Sequence, residues 1–324
     1  MKKVVHPYNG NIDDNHKSSI TGEDDQLSDV IPQYKDINSD IKDDFKNIKT
    51  INELEDDSNS YFDPSDEELK KAPIVHVVQD GVYEFESFKR EPFKKATIVG
   101  QGPDKTTITV SNTIEIKENK GLSFVNVTVI GSKDDLIKNH GNFSLINCVV
   151  ENITAQDNTY GYIENYGNVT INNTIMQNIS FYSNAIINDK STKHTNKISI
   201  NNSTFINNHV RDHAGLFRIR NSNFTMENSL IMNHENLTRF KELIDLNNTQ
   251  NATIRNTQFI SNKITTSLLY VENTTLTVDN VTFINNKVKQ FSSCICAIDS
   301  NIYIYILTIQ YLKITHQLMI LVVQ

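Results

Sequence analysis

Few side chains in this sequence occur in combinations that could do chemistry. Two acids are adjacent at Asp134 and Asp135, and Arg211, Asp212 and His213 are consecutive. Enzymes that cut or de-esterify polyuronides need acidic side chains beside Arg, Lys or Gln to activate water and stabilise charge. Both groups lie between strand-like segments, where charged residues are usually only solvated. We therefore predict no catalytic residue.

The metal-binding residue types are equally sparse. Cys148, Cys294 and Cys296 form no CxxC pair and accompany no His cluster at zinc spacing. Loop Asp and Asn residues could bind Ca²⁺, but no regular set of acidic ligands repeats. No disulfide framework, metal or cofactor is predicted, and the cysteines are interpreted as small hydrophobic residues.

The tripeptide Asn-x-(Ser/Thr), an acceptor for N-glycosylation, occurs at fourteen positions. Many of these follow simply from a composition with 42 Asn in 324 residues. The fourteen include Asn142, Asn152, Asn168, Asn236 and Asn273, and we expect glycosylation of some exposed members if the chain is exported. Two further members, Asn126 and Asn280, are expected to turn inward.

A twelve-residue unit recurs seven times in the chain. Its form is x-Φ-(Ser/Thr)-Φ-x-Asn-x-x-Φ-x-x-(Asn or similar), where Φ is apolar. The sixth position is always Asn: Asn126, Asn147, Asn173, Asn202, Asn228, Asn256 and Asn280. Successive sixth positions are 21, 26, 29, 26, 28 and 24 residues apart, which gives a mean period of about 26.

The unit predicts strands. Apolar residues at its second and fourth positions, with a small polar residue between them, are typical of a strand with one buried face. A second apolar run, such as Leu243-Ile244-Asp245-Leu246, precedes most units, so each period supplies about three short strands. Asn, Ser, Thr and β-branched residues dominate, which disfavours a helical solenoid.

A parallel β-helix explains the repeated Asn. Coils of about 26 residues stacked at the strand spacing of about 4.8 Å place equivalent residues above one another. Stacked Asn side chains can hydrogen-bond along the column, and Asn tolerates the left-handed backbone of a sharp turn. We predict that the seven sixth-position Asn residues form such a ladder.

Three segments are predicted. Residues 1–72 carry 18 acids, 9 Lys and no Arg, and are interpreted as an acidic, mostly disordered lead-in with two candidate short helices near Ile41 to Ile48 and Ser65 to Leu69. Residues 73–301 are the β-helix. Residues 302–324 are an apolar tail without the repeat. A one-nucleotide shift near Ile306 can restore the repeat, so we expect a truncated, frameshifted chain; the alternative is an apolar anchor.

Charge and hydropathy exclude some partners. The net charge of −8 belongs to the N-terminal segment, and residues 73–324 hold 21 acids against 22 bases, so no basic stripe for nucleic acid is present. Residues 302–323 contain Gln310, Lys313, His316 and Gln317, which makes them a poor membrane span. The N-terminus lacks the apolar run of a signal peptide.

Residues 74–301 resemble two groups of surface proteins. The Phe-Ile-Asn-Asn runs at Phe205 to Asn208 and Phe283 to Asn286 resemble adhesin-like, Asn/Thr-rich proteins of methanogenic archaea and, more distantly, the repeats of chlamydial polymorphic outer-membrane proteins. Gly81-Val82-Tyr83, followed by residues 96–106, is similar to the first coils of right-handed β-helix proteins, which include pectin-processing enzymes. The resemblance implies a right-handed parallel β-helix at the cell surface or outside the cell.

From this resemblance we expect a non-enzymatic, adhesin-like surface protein that binds glycans or proteins of other cells. The alternative is a carbohydrate-active enzyme on the same fold, a polyuronide lyase, hydrolase or esterase, because the fold does not fix the function. A groove with three or more converging acidic and basic side chains would favour the enzyme.

Overall fold

A computed structural model describes residues 73–85, 94–110, 113–131, 137–155, 161–181, 185–210, 215–235, 242–288, 294–310, 313–314 and 321–323. The regular elements in these ranges are β-strands, numbered β1 to β35 in chain order. The lead-in, with its two candidate helices, lies outside the described residues.

Three long parallel sheets run the length of the molecule. Sheet A contains the strands at the start of each repeat unit: β1 Pro73–Val77, β3 Lys95–Val99, β6 Gly121–Val125, β9 Asn142–Ile146, β13 Asn168–Asn172, β17 Lys197–Asn201, β21 Asn223–Glu227, β24 Ala252–Arg255, β28 Thr275–Asp279 and β32 Asn301–Ile304. Sheet B follows each of them after one bend: β2 Gly81–Phe85, β4 Thr106–Val110, β7 Thr128–Gly131, β10 Val149–Glu151, β14 Ile175–Gln177, β18 Thr204–Ile206, β22 Leu230–Met232, β25 Gln258–Ile260, β29 Val281–Ile284 and β33 Leu307–Gln310.

Sheet C is built from the second apolar run of each period: β5 Ile114–Ile116, β8 Ile137–Asn139, β12 Ile163–Asn165, β16 Ile187–Asp189, β20 Phe217–Arg220, β23 Ile244–Asn247, β27 Leu269–Glu272, β31 Ile295–Ile298 and β35 Leu321–Val323. Two small sheets lie between B and C in the chain. They contain β11 Thr154–Ala155, β15 Ser180–Phe181 and β19 His209–Val210, and β26 Lys263–Ile264, β30 Lys287–Val288 and β34 Lys313–Ile314.

In each sheet, equivalent strands of neighbouring coils pair in parallel, so the predicted parallel β-helix is confirmed. The register keeps repeat positions aligned: Phe205 pairs with Met176 and with Ile231. These ninth-position side chains point inward and are fully buried. The ring of Phe205 packs edge-on against the ring of Phe217 in sheet C, with the ring centres 4.9 Å apart. The core is therefore one continuous stack of apolar columns between the sheets.

The last coil differs from the sequence prediction. We placed the end of the repeat at residue 301, but β32, β33, β34 and β35 pair in register with the preceding coil. Backbone pairing needs no particular side chain, so an Asn-free stretch can still add a coil. This last coil differs from the others at the bend between sheets A and B. Ile306 occupies the sixth position there, and it does not adopt the left-handed conformation of the seven Asn residues.

Candidate functional site

The structure places the seven sixth-position Asn residues in one column at the bend between sheets A and B. Each has a φ between 48° and 56°. The amide Nδ2 of Asn147 donates to Oδ1 of Asn126, Asn173 to Asn147 and Asn202 to Asn173, at 2.5, 2.7 and 2.8 Å. Asn256 donates to Asn228 and Asn280 to Asn256, at 3.1 and 2.9 Å. The column supports the fold by joining successive coils.

Two details of this column differ from the expectation. The amide of Asn228 donates to Asn201, at 3.0 Å, instead of to the sixth-position Asn202, so the chain of side-chain bonds is interrupted once. The prediction that Asn126 and Asn280 turn inward is wrong, because Asn280 is exposed and Asn126 is half-buried. The left-handed bend directs these amides along the outside edge of the solenoid.

The sequence-based catalytic candidates, Asp134-Asp135 and Arg211-Asp212-His213, lie outside the described residues. A different set of polar residues converges on the outer face of sheet C. We call it the sheet C lattice. It has two side-by-side rows over five successive coils: Glu164, Asn188, Arg218, Asp245 and Tyr270 in the first, and Tyr166, Lys190, Arg220, Asn247 and Glu272 in the second.

Strand geometry explains the lattice. Residues two apart on a strand face the same side, and parallel pairing stacks them coil on coil. In β20 the inward residues Phe217 and Ile219 are fully buried, while Arg218 and Arg220 point outward and are half-buried. The lattice spans five coils at about 4.8 Å each, or about 19 Å from the first coil to the last.

An arginine–carboxylate pair occupies its centre. The Arg220 guanidinium donates from Nη1 to Oδ1 of Asp245 at 2.8 Å and from Nη2 to Oδ2 at 2.5 Å, a two-pronged geometry. Nε of Arg218 lies 3.9 Å from the same Oδ2. The Asp245 side chain is only 9% exposed, so this carboxylate is held in a fixed orientation between two cations.

Tyr270 on the next coil and Asn247 on the coil of Asp245 share one acceptor. The Tyr270 hydroxyl donates to Oε2 of Glu272 at 3.2 Å, and Nδ2 of Asn247 donates to the same oxygen at 2.6 Å. Partial burial and the nearby Glu272 carboxylate raise the pKa of Tyr270 to about 12. At neutral pH Tyr270 is therefore a protonated hydrogen-bond donor.

The other end of the lattice repeats this arrangement. Nζ of Lys190 lies 3.1 Å from Oε1 of Glu164, and the Tyr166 hydroxyl donates to the same carboxylate. The Tyr166 ring stacks on His140 with ring centres 4.5 Å apart. Over its whole length the lattice has three acids and three bases, so its formal charge is zero.

Sequence reasoning identified the strands of sheet C but missed the residues that face outward from them. A signal was present: Asp245 interrupts an otherwise apolar run, Leu243-Ile244-Asp245-Leu246. Within the described ranges, no three His, Cys, Asp or Glu side chains are grouped closely enough to hold a metal ion. No helix among the described residues has the length and apolar character to cross a membrane.

Comparisons with known proteins found distant likeness only. No protein-family model matches the chain, and no curated protein matches it. One similar solved structure is the Agl-KA catalytic domain, with 12% identity, a TM-score of 0.26, and coverage of 75% of this chain and 63% of that one. Another is the A-module of the Azotobacter vinelandii mannuronan C-5 epimerase AlgE6, with 12% identity, a TM-score of 0.23, and coverage of 75% and 91%.

Both of these similar structures carry the names of enzymes, which contradicts our prediction that the protein is not an enzyme. That prediction is withdrawn. Likeness at 12% identity concerns the solenoid fold alone. The finer resemblance to archaeal adhesin-like proteins and chlamydial repeats is not supported by these comparisons.

Proposed function

We propose that the protein binds an extended, uncharged polysaccharide along the sheet C lattice. The observation that carries this proposal is the alignment of Arg218, Asp245 and Tyr270 on three successive coils of one outward row. Sugar hydroxyl groups are both donors and acceptors, and they can meet the half-buried side chains of the lattice, such as Arg218, Tyr270 and Glu272. Glu164, Asn188 and Asp245 are buried, so they act on a ligand only through these neighbours. The tyrosine rings add apolar area for the faces of the sugar rings.

Charge and shape determine the class of ligand. Because three acids balance three bases, the lattice has no surplus of either sign to attract a polyanion or a polycation. A two-row strip about 19 Å long fits a chain of sugars laid along the solenoid axis better than a compact ligand. We propose that the setting is the cell surface, with glycans of other cells as partners, as the adhesin-like resemblance implies.

Binding by the purified full-length chain to immobilised polysaccharides tests the proposal. The panel should include neutral glucans, mannans and xylans beside polygalacturonate and alginate. We expect binding to at least one neutral polymer, weakened about tenfold or more by Arg218→Ala and by Tyr270→Ala, the size of loss seen when a well-packed contact residue is truncated. The matched control is Thr225→Ala, since Thr225 is also half-buried and strand-borne but lies on sheet A.

Two outcomes would contradict the proposal. One is a chain that binds none of the neutral polymers. The other is a polymer that binds equally well to Arg218→Ala, Tyr270→Ala and wild type, provided that thermal unfolding shows all three to be folded. Preference for polygalacturonate or alginate would refute the argument from charge.

A further inference from the structure

The Asn-x-(Ser/Thr) tripeptides fall into two structural groups. Eleven of the fourteen begin with a described Asn whose side-chain amide takes part in a hydrogen bond, as a donor through Nδ2 in nine of them and only as an acceptor through Oδ1 in Asn126 and Asn172. The eleven are Asn126, Asn142, Asn168, Asn172, Asn201, Asn202, Asn223, Asn247, Asn251, Asn273 and Asn280. Asn236 lies outside the described residues. The remaining two, Asn152 and Asn178, are different.

Asn152 and Asn178 are exposed, and within the described part of the chain neither side chain makes a hydrogen bond. Both occupy the eleventh position of the unit, at the bend that follows sheet B, with φ values of 56° and 53°. The residue after each, Ile153 or Ile179, is fully buried. The bend therefore anchors the backbone and leaves the Asn amide projecting outward.

We propose that Asn152 and Asn178 are sites of N-linked glycosylation. The modification joins C1 of a sugar to Nδ2 of Asn, while the bond from that C1 to the phosphate of a lipid-linked oligosaccharide breaks and the lipid phosphate leaves with the electron pair. Nδ2 loses one proton to the transferase. This inference depends on export of the chain, but not on polysaccharide binding at sheet C.

The ladder members could not carry the same group in the folded protein. Asn202 and Asn280 show why: their amides lie between neighbouring coils with Nδ2 2.8 and 2.9 Å from the acceptor oxygen. A sugar on such an Nδ2 would have to enter a gap the width of one strand spacing, about 4.8 Å. Asn152 and Asn178 are exposed, and within the described residues no group of a neighbouring coil hydrogen-bonds to either side-chain amide.

The two sites also lie close together. Glu151 pairs with Gln177 in adjacent strands, so Asn152 and Asn178 follow on neighbouring coils about one strand spacing apart. Gln177 donates to Glu151 at 2.7 Å beside them. A glycan on one Asn will cover much of the approach to the other, so most molecules should carry one glycan at this pair.

The full-length chain, fused to a secretion signal and secreted by a glycosylating eukaryotic host, tests this. Glycans are removed enzymatically in ¹⁸O-labelled water, which marks each occupied Asn, and peptides are read by mass spectrometry. We expect label at Asn152, Asn178 or both, none at the eleven bonded positions, and more label at Asn178 in Asn152→Gln than in wild type. The control is Asn207→Gln, an eleventh-position Asn outside any acceptor tripeptide.

Secreted, folded protein with no label at Asn152 and Asn178 would overturn the proposal. Label at the bonded positions in that same material would also overturn it, since it would show that the hydrogen bonds do not decide occupancy.

Discussion

The N-terminal and C-terminal halves of the solenoid bury their polar side chains at different corners. In the N-terminal half, an inward row of sheet C contains Asn139, Asn165 and Asp189, all with no exposed surface. In the C-terminal half the same row is apolar: Ile219, Leu246 and Val271. The polar row has moved to another corner there.

That other corner is the twelfth position of the unit, just after sheet B. Ile153 and Ile179 occupy it in the N-terminal half, and Asn208, His234, Asn262 and Asn286 in the C-terminal half. Asn208, Asn262 and Asn286 each donate to the ninth-position carbonyl of the preceding coil, at 2.9, 3.0 and 2.7 Å. In both halves the buried polar side chains hydrogen-bond to backbone groups at a bend. Either corner can therefore satisfy the buried backbone groups of a turn.

The largest expected difference between the halves concerns one amide in each. Asn165 bonds to Asn139, Asp189 and Gly167, so Asn165→Ala leaves buried polar groups unpaired and should lower the free energy of unfolding by about 3–5 kcal/mol. Asn262 is the counterpart in the C-terminal half. Asn262→Ala should lower the free energy of unfolding by about 2 kcal/mol, because Asn262 donates to no buried carboxylate. Urea unfolding measures both; an equal or smaller loss for Asn165→Ala would contradict this.

The second contrast is in pH dependence, and it rests on one buried titratable group in each half, Asp189 and His234. Burial raises the pKa of Asp189 to about 6, although the Asn165 amide and the backbone amides of Arg220 and Ser191 donate to its carboxylate. The folded protein therefore holds this proton more tightly than the unfolded chain. Asp189 should favour folding below about pH 4 and lose up to about 3 kcal/mol of that stability as pH rises through 6.

His234 has the opposite effect over the same interval. Burial lowers its pKa to about 4, despite ring contacts with the carbonyls of Asn208 and Phe205. The unfolded chain binds this proton more readily, so stability that is present above pH 6.5 falls by up to about 3 kcal/mol as pH drops through 4.

We expect the two effects to offset each other in the wild type between pH 4 and 6.5. Asp189→Asn should make stability fall steeply in acid, and His234→Asn, which places the residue of the neighbouring coils in that row, should make it rise in acid. Urea unfolding at several pH values measures the slopes. Parallel slopes in the three proteins would contradict the assignment.

A smaller difference in stability is expected between the arginine ion pairs on the outer faces of sheets C and A. Arg220 pairs with the nearly buried Asp245 on sheet C, whereas Arg255 lies between Glu227 and Asp279 on sheet A, at 3.4 and 3.1 Å, with 45% of its side chain exposed. Arg220→Gln should cost about 1–2 kcal/mol after allowance for solvent screening, and Arg255→Gln less than about 1 kcal/mol. Thermal unfolding with and without 1 M salt should show the Arg255 effect vanish; a greater loss for Arg255→Gln would contradict this.

The smallest effect tests a feature that both halves share, the sixth-position bend. Asn173 has a φ of 50°, which glycine adopts without strain and alanine does not. Asn173→Ala should therefore be about 1 kcal/mol less stable than Asn173→Gly. Comparison of the two variants cancels the lost hydrogen bonds, since both lack the amide. Equal stabilities of the two variants would show that the left-handed backbone at this bend does not disfavour alanine.

The sequence predicted the repeated part of the molecule and not the varied part. The sixth-position Asn recurs seven times because the same bend recurs, so its role was readable from spacing alone. Arg218, Asp245 and Tyr270 share a row but no residue type, and loops that vary the step from 21 to 29 residues conceal their alignment. The interior polar rows were missed for the same reason, since Asn208 is replaced by Ile179 one coil earlier.

Hydrogen–deuterium exchange with a bound neutral polysaccharide tests the proposed function most directly. Backbone amides in β16, β20, β23 and β27 carry the central sheet C lattice, and equivalent amides in β17, β21, β24 and β28 lie on sheet A of the same coils. We predict slower exchange on binding in the first set and unchanged exchange in the second. Slower exchange confined to sheet A, or a bound polymer that leaves sheet C unchanged, would contradict the assignment of the binding face.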